Sequence, residues 1–466
     1  MPSPFIREVR RRRKDTQRVF QLLAHASASR VDQSVFWAWL GLLAFGVLSF
    51  GAVEPWSLAI FQVGSALLLL WWMVAGMHRG NLQVTLLPIF VPALLFLGLI
   101  LVQMALHTTA YRLETEHTLY LYIPYSLLVF VGAQVLDAEG RFRAFGISAI
   151  LFGLSIALLA ILQGLTSPGQ IYWLVRPAFG DGVFGPYVNH SHYAGLMEML
   201  FPFALLLGNS RLLPQGEKEL GYFAAAVMAG SVFVSGSRGG IVAVCVQLCL
   251  IYFLVRKPSK QRYAGESRQR WLSLAAVVAV SGVVLWLGGQ EMITRISSIR
   301  DPFGNTVGAT RLLIFKDSLR MIAERPLLGW GGGVFQTVYP AFRSFSTDVV
   351  VNAAHNDYLQ LLVEFGITGA ALALLFLGLA YRRFGQLARG WKDSWPEFVS
   401  FSALLGTVGI LVHSLTDFNL QVPANAAIFY VLCMIASHPA PNPALQSESS
   451  APAFGSMLAS TPAGKG

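Results

Sequence analysis

Apolar stretches of about 17–22 residues recur along this chain, each long enough to cross a hydrocarbon layer of roughly 30 Å as a helix. No water pairs with a backbone amide in hydrocarbon, so such a stretch must satisfy its hydrogen bonds internally. Runs such as Leu94–Leu106 and Leu151–Leu162 do not alternate, which excludes the strands of a membrane β-barrel. Composition agrees: the chain is 55% hydrophobic and 12% charged, against roughly 45–50% and 25% in soluble domains. The expected fold is an all-α polytopic membrane protein with about twelve transmembrane helices.

The spans fall at 35–53, 58–77, 86–106, 119–136, 144–164, 191–208, 221–236, 240–255, 271–289, 357–380, 397–413 and 423–437. They divide the chain into a basic N-terminal segment (1–34), nine helices (35–289), a long outer loop with a helix of its own (290–356), three more helices (357–437) and a Pro/Ala/Ser-rich tail (438–466) expected to be disordered. The run Arg7–Lys14 stands too far before the first span for a cleavable signal peptide and sets the N-terminus in the cytoplasm. The later basic clusters, from Arg256 to Arg270 and from Arg382 to Lys392, fall on that same side, and so does the C-terminus. The net charge of +10 is therefore an orientation signal and a contact to anionic membrane lipids, with no nucleic acid implied.

Cys245, Cys249 and Cys433 lie in apolar segments and read as small buried hydrophobes, without a disulfide framework. No Walker A motif, G-x-S-x-G, H-E-x-x-H or D-x-D is present, and Glu114–Thr115–Glu116 reads as a solvated turn.

The residues with chemical potential gather on the outer side. Between Arg311 and Ala323, Leu312, Leu313, Phe315, Leu319 and Ile322 recur at helical spacing, predicting an amphipathic helix that Pro326 and the GWGGG glycines terminate. Its two readings are a surface helix and a packing lid. In AAHND, Asn356 and Asp357 suit an N-cap. His355 is not needed for capping, and an imidazole at the membrane boundary suits general acid–base work. SGSRGG places Arg238 in a short turn, where a guanidinium fork and close-approach glycines suit a phosphate group as well as a lipid headgroup. Asn189, His190 and His192 close a Gly/Pro loop. No carboxylate stands at metal-ligand spacing from them, so capping and packing are expected.

In order along the chain, GPYVNHSHYAG, SGSRGG, TR…RPLLGWGGGVF and AAHNDYLQLLVEFGITG resemble the O-antigen ligase and polymerase superfamily over roughly residues 170–380. The resemblance implies a GT-C-like membrane glycosyltransferase of the bacterial inner membrane with a periplasmic active site. It implies no metal and no cofactor. The donor would be an undecaprenyl diphosphate-linked glycan, the acceptor lipid A–core or a growing glycan. It implies His355 as the catalytic residue and Arg238 and Arg311 as diphosphate contacts, with Arg176 as a further one. Asn356, Asp357, Asn189 and His190 would support the site. The leading expectation is an O-antigen ligase-like enzyme acting with inversion. The alternatives are an O-antigen or exopolysaccharide polymerase, a protein-directed oligosaccharyltransferase, and a polysaccharide or lipid transporter. A transporter predicts broken helices in two halves and charges at mid-membrane.

Overall fold

One helix is buried on almost every side. His190–Asn209, called α6 below, has apolar residues all around its axis and packs between neighbours, as such a helix must. The computed structural model describes residues 33–78, 82, 84–177, 182–255, 306–347 and 350–439. Before α6 come α1 (Gln33–Leu48), α2 (Pro55–His78), α3 (Phe90–Ala105), α4 (Arg112–Val135) and α5 (Glu139–Thr166). After it come α7 (Lys218–Ser235), α8 (Arg238–Val255), α9 (Thr306–Glu324), α10 (Asp357–Tyr381), α11 (Trp395–His413) and α12 (Pro423–Ser437). Among the described residues, extended structure is confined to isolated bridges such as Ile171–Val175.

Helices occupy eleven of the twelve expected spans. The other, 271–289, lies outside the described residues, as do the basic N-terminal run and the tail beyond 439. Five helical segments are long and apolar enough to cross a membrane by length and composition: α2, α4, α5, α11 and the run Asp357–Gly390 that begins with α10. The shorter α1, α3, α8 and α12 are also apolar. Small residues let the central helices approach closely; a Cβ added to Gly221 of α7 would lie 2.9 Å from the Gly208 amide nitrogen of α6.

Successive helices run between two ends of the bundle. At one end, the Arg211 amide donates to the Lys392 carbonyl at 2.9 Å and Arg211 pairs with Asp393 at 3.0 Å. At the other, the loop before α10 is stitched to α3 and α4 by backbone groups. α10 kinks at Gly366 (φ 61°, ψ −163°), which frees the Val363 and Glu364 carbonyls. The Trp330 and Gly331 amides of GWGGG donate to these at 2.9 and 3.0 Å, and Ile367 and Thr368 donate back to Pro326 and Leu327. Gln103 of α3 bridges the pairing, donating to the Leu328 and Glu364 carbonyls at 2.6 and 2.8 Å.

Three expectations are corrected. The stretch Glu114–Glu116 is no turn: it lies in the first turns of α4, and the buried Thr115 hydroxyl donates to the Gly332 carbonyl at 3.1 Å. The amphipathic helix exists as α9, but Leu312 and Leu319 are exposed; the buried stripe is Ile314, Asp317, Ser318 and Met321. A carboxylate tolerates that stripe because Tyr339 Oη, Ser344 N and Ser344 Oγ all donate to Asp317 Oδ2, at 3.1, 2.9 and 3.1 Å. Cys245 and Cys249 are exposed on α8 rather than buried, which a weakly polar thiol tolerates, whereas Cys433 is buried.

Gly329 holds φ at +70°, and a Cβ there would stand 2.5 Å from the Glu364 carbonyl carbon. Gly329→Ala is therefore expected to destabilise the fold by roughly 1–3 kcal/mol or more, read as a lowered thermal unfolding midpoint of the solubilised protein.

Candidate functional site

His355 sits in a left-handed backbone conformation, φ +50°, that a non-glycine residue adopts only when its surroundings impose it. Both flanks are tied down. On one side the Ala354 amide donates to Gln360 Oε1 at 3.0 Å. On the other, Asn356 caps α10, accepting from the Tyr358 and Leu359 amides, while its Nδ2 donates to the Leu415 carbonyl at 2.9 Å. Asp357 fastens the same turn to the loop between α11 and α12: its Oδ2 accepts from Ser414 Oγ at 2.7 Å and the Leu420 amide at 3.1 Å. The two residues expected to cap thus divide the work, one capping α10 and one joining it to the next loop.

Held this way, the imidazole lies edge-on against Phe418, with ring centroids 5.1 Å apart, and its Nδ1 is 4.0 Å from Asp417 Oδ1. His192 approaches Phe418 similarly, at 5.0 Å. The His355 side chain remains 26% exposed and that of Asp417 only 6%. Burial pushes the His355 pKa below its usual 6.5, and the nearby Arg311 adds to the effect; Asp417 opposes both. Burial would raise the Asp417 carboxyl, but His192, His413, the Phe418 amide and the Ser191 hydroxyl outweigh it and hold the pKa below its usual value.

The predicted cations converge on the same loop. Arg311, from the start of α9, donates to the Thr416 carbonyl at 3.2 Å. Arg238 is exposed at the first position of α8, and its neighbour Gly239 packs so tightly that a Cβ would stand 2.6 Å from Thr416 Oγ1. Segment 413–418 is thus where the His355, Arg311 and Arg238 elements meet.

The remaining candidates lie elsewhere or act structurally. Exposed Arg176 follows the Ile171–Val175 turn, which Tyr172 ties to the Leu48 carbonyl at the end of α1. Asn189 caps α6, accepting from the Ser191 amide at 2.8 Å. A Cβ on Gly182 would run into the His190 ring, with Cε1 at 3.1 Å, so that imidazole packs on the loop before the helix. Among the described residues, no group of three or more His, Cys, Asp or Glu is placed to hold a metal ion.

Asp417 and the buried pair Glu198–His413 were passed over in the sequence. The signal for Asp417 was present: it is the sole charged residue between α11 and α12. Beside the site, an apolar groove of about 500 Å³ runs between α10 and α11 from Tyr358 and Leu415 down to Tyr381.

A bundle of helices this long and apolar is an integral membrane protein. Residues 223–374 match the family model described as O-Antigen ligase, which supports a likeness of this segment to the O-antigen ligase and polymerase superfamily, whose members are membrane glycosyltransferase-type enzymes. The match covers about a third of the chain. It includes Arg238, Arg311 and His355 but ends before Asp417. No curated protein gives a match to the chain.

Two substitutions test the electrostatics around His355. Arg311→Gln removes a cation that disfavours the imidazolium, so the His355 midpoint is expected to rise; Asp417→Asn removes the opposing anion, so it is expected to fall. Histidine NMR titration of the reconstituted protein reads both directions.

Proposed function

We propose that this protein is an O-antigen ligase-like glycosyltransferase of the bacterial inner membrane. In this reading it has about twelve spans in a GT-C-like arrangement, with both termini cytoplasmic and the site facing the periplasm. It moves a glycan from undecaprenyl diphosphate to lipid A–core. The observation that carries the reading is the meeting of His355, the Arg311 helix and the Arg238 turn on one short loop, residues 413–418.

The chemistry follows from the geometry. Nδ1 of His355 faces Asp417, which leaves Nε2 for the substrate. Nε2 accepts the acceptor hydroxyl's proton as that oxygen attacks the anomeric carbon. The bond from that carbon to the diphosphate oxygen breaks on the opposite face, so the configuration inverts. Two negative charges or more then gather on the leaving diphosphate, and Arg238 and Arg311 are the cations that hold them. His355 starts neutral because burial and Arg311 disfavour its charged form, and Asp417 stabilises the imidazolium once it forms. The proton then leaves to water through the open side of the ring. Arg176 stands apart in this scheme, a contact for glycan or headgroup at the rim.

The apolar groove between α10 and α11 starts beside the site, at Tyr358 and Leu415, and takes the carrier's polyprenyl chain in this reading. The approach of His355, Asp417, Arg311 and the Arg238 turn to one loop favours an enzyme over a transporter.

The test is the envelope glycan of a strain lacking this protein, complemented with wild type or His355→Ala at equal membrane levels. A ligase predicts that the deletion accumulates long polymer on the lipid carrier and that His355→Ala does not restore transfer. Single repeat units joined to the acceptor in the deletion would assign polymerase activity instead. Full restoration by His355→Ala would remove His355 as the base. Arg238→Lys and Arg311→Lys are expected to raise the donor KM by about tenfold or more, as loss of a bidentate contact does.

A further inference from the structure

Glu198 sits within α6, fully buried, where an ionised carboxylate is costly unless paired. The displacement described above does not use it. Its Oε1 lies 2.8 Å from Nδ1 of His413, the last residue of α11. The other imidazole nitrogen, Nε2, lies 3.5 Å from Ser237 Oγ, the hydroxyl just before Arg238.

Ser237 Oγ directs its single proton to Ser191 Oγ at 3.3 Å and accepts the Gly240 amide at 3.2 Å. At His413 it must therefore accept, so Nε2 donates to Ser237 while Nδ1 and Glu198 share the hydrogen bond on the other side of the ring. Ser191 in turn donates to the Asp417 carboxylate, whose Oδ1 faces His355 Nδ1 at 4.0 Å. From His413 through Ser237 and Ser191, the side-chain donors lead towards Asp417. A packing role alone would be served as well by apolar side chains.

We propose that Glu198, His413, Ser237 and Ser191 are positioning residues that keep Asp417 ionised and aimed at His355, so that His355 carries its proton on Nδ1 and presents Nε2 as the base. The inference rests on the reading of His355 as the base, but its consequence is a property of the resting protein. The other titratable or charged groups around these residues include Arg311 from α9, Arg238 from α8, directly after Ser237, Asp357 from α10, and His190 and His192 from α6.

The experiment is NMR of full-length protein labelled with ¹³C,¹⁵N-histidine in lipid nanodiscs, the His355 signal being identified by its loss in His355→Gln. Wild type is expected to show His355 protonated on Nδ1. Ser191→Ala leaves the Glu198–His413 pair intact and breaks the chain one bond from Asp417. It is expected to lower the His355 midpoint by about half a pH unit and to mix the two tautomers. Glu198→Gln is expected to act in the same direction; should it fail to fold, Ser191→Ala carries the test alone. A natively folded Ser191→Ala with unchanged His355 tautomer and midpoint overturns the positioning role. That outcome is separate from the glycan test, because a fully active His355→Ala would remove the base and leave these titrations as they are.

Discussion

Backbone groups at the ends of membrane helices have few places to find partners, and the end of this bundle that carries His355 is organised by that requirement. The kink at Gly366 frees two carbonyls inside α10, and the GWGGG amides occupy them. Gln103 and Thr115, from two other helices, close over the pairing. The first turn of α10 is thereby fixed relative to α3, α4 and α9. Asp357 then clamps that turn to the α11–α12 loop through Ser414 and Leu420. His355 is the residue caught between these two fixtures, and its left-handed backbone is the local cost of holding the ring against Phe418 and Asp417.

The charges are arranged around that ring with opposing effects. Arg311 disfavours the imidazolium while Asp417 favours it, and partial burial sharpens both influences. A base that starts neutral and is stabilised only after it takes a proton needs such a balance. Arg311 is tethered to the Thr416 carbonyl, and Gly239, next to Arg238, packs against the Thr416 side chain, so both arginine-bearing helices start beside the same loop.

Much of this was legible in the sequence because membrane helices announce themselves by length and apolarity. The Asn356 cap and the AAHND and SGSRGG motifs were equally readable, being local chemistry with local consequences. What escaped has a physical reason in each case. Asp317 hides inside a helix stripe that looks polar, because its partners Tyr339 and Ser344 come from a distant turn. Thr115 reads as surface until Gly332 is laid beside it. Glu198 and His413 are separated by more than two hundred residues, and each alone resembles an isolated polar residue in an apolar run. Asp417 gains meaning only once Asp357 has drawn α10 onto its loop. Spatial convergence of this kind has no periodicity to betray it.

The central claim is that segment 413–418, with the starts of α8 and α9, forms one diphosphate site. The most direct measurement is photocrosslinking of the purified protein in nanodiscs with a polyprenyl diphosphate bearing a photoreactive group beside the phosphates, mapped by mass spectrometry. Crosslinks at residues 413–418 and around Arg238, competed by unlabelled polyprenyl diphosphate and weakened in Arg238→Gln and Arg311→Gln, are the predicted result. Crosslinks at the other end of the bundle, or labelling of this loop that neither substitution reduces, would contradict the account.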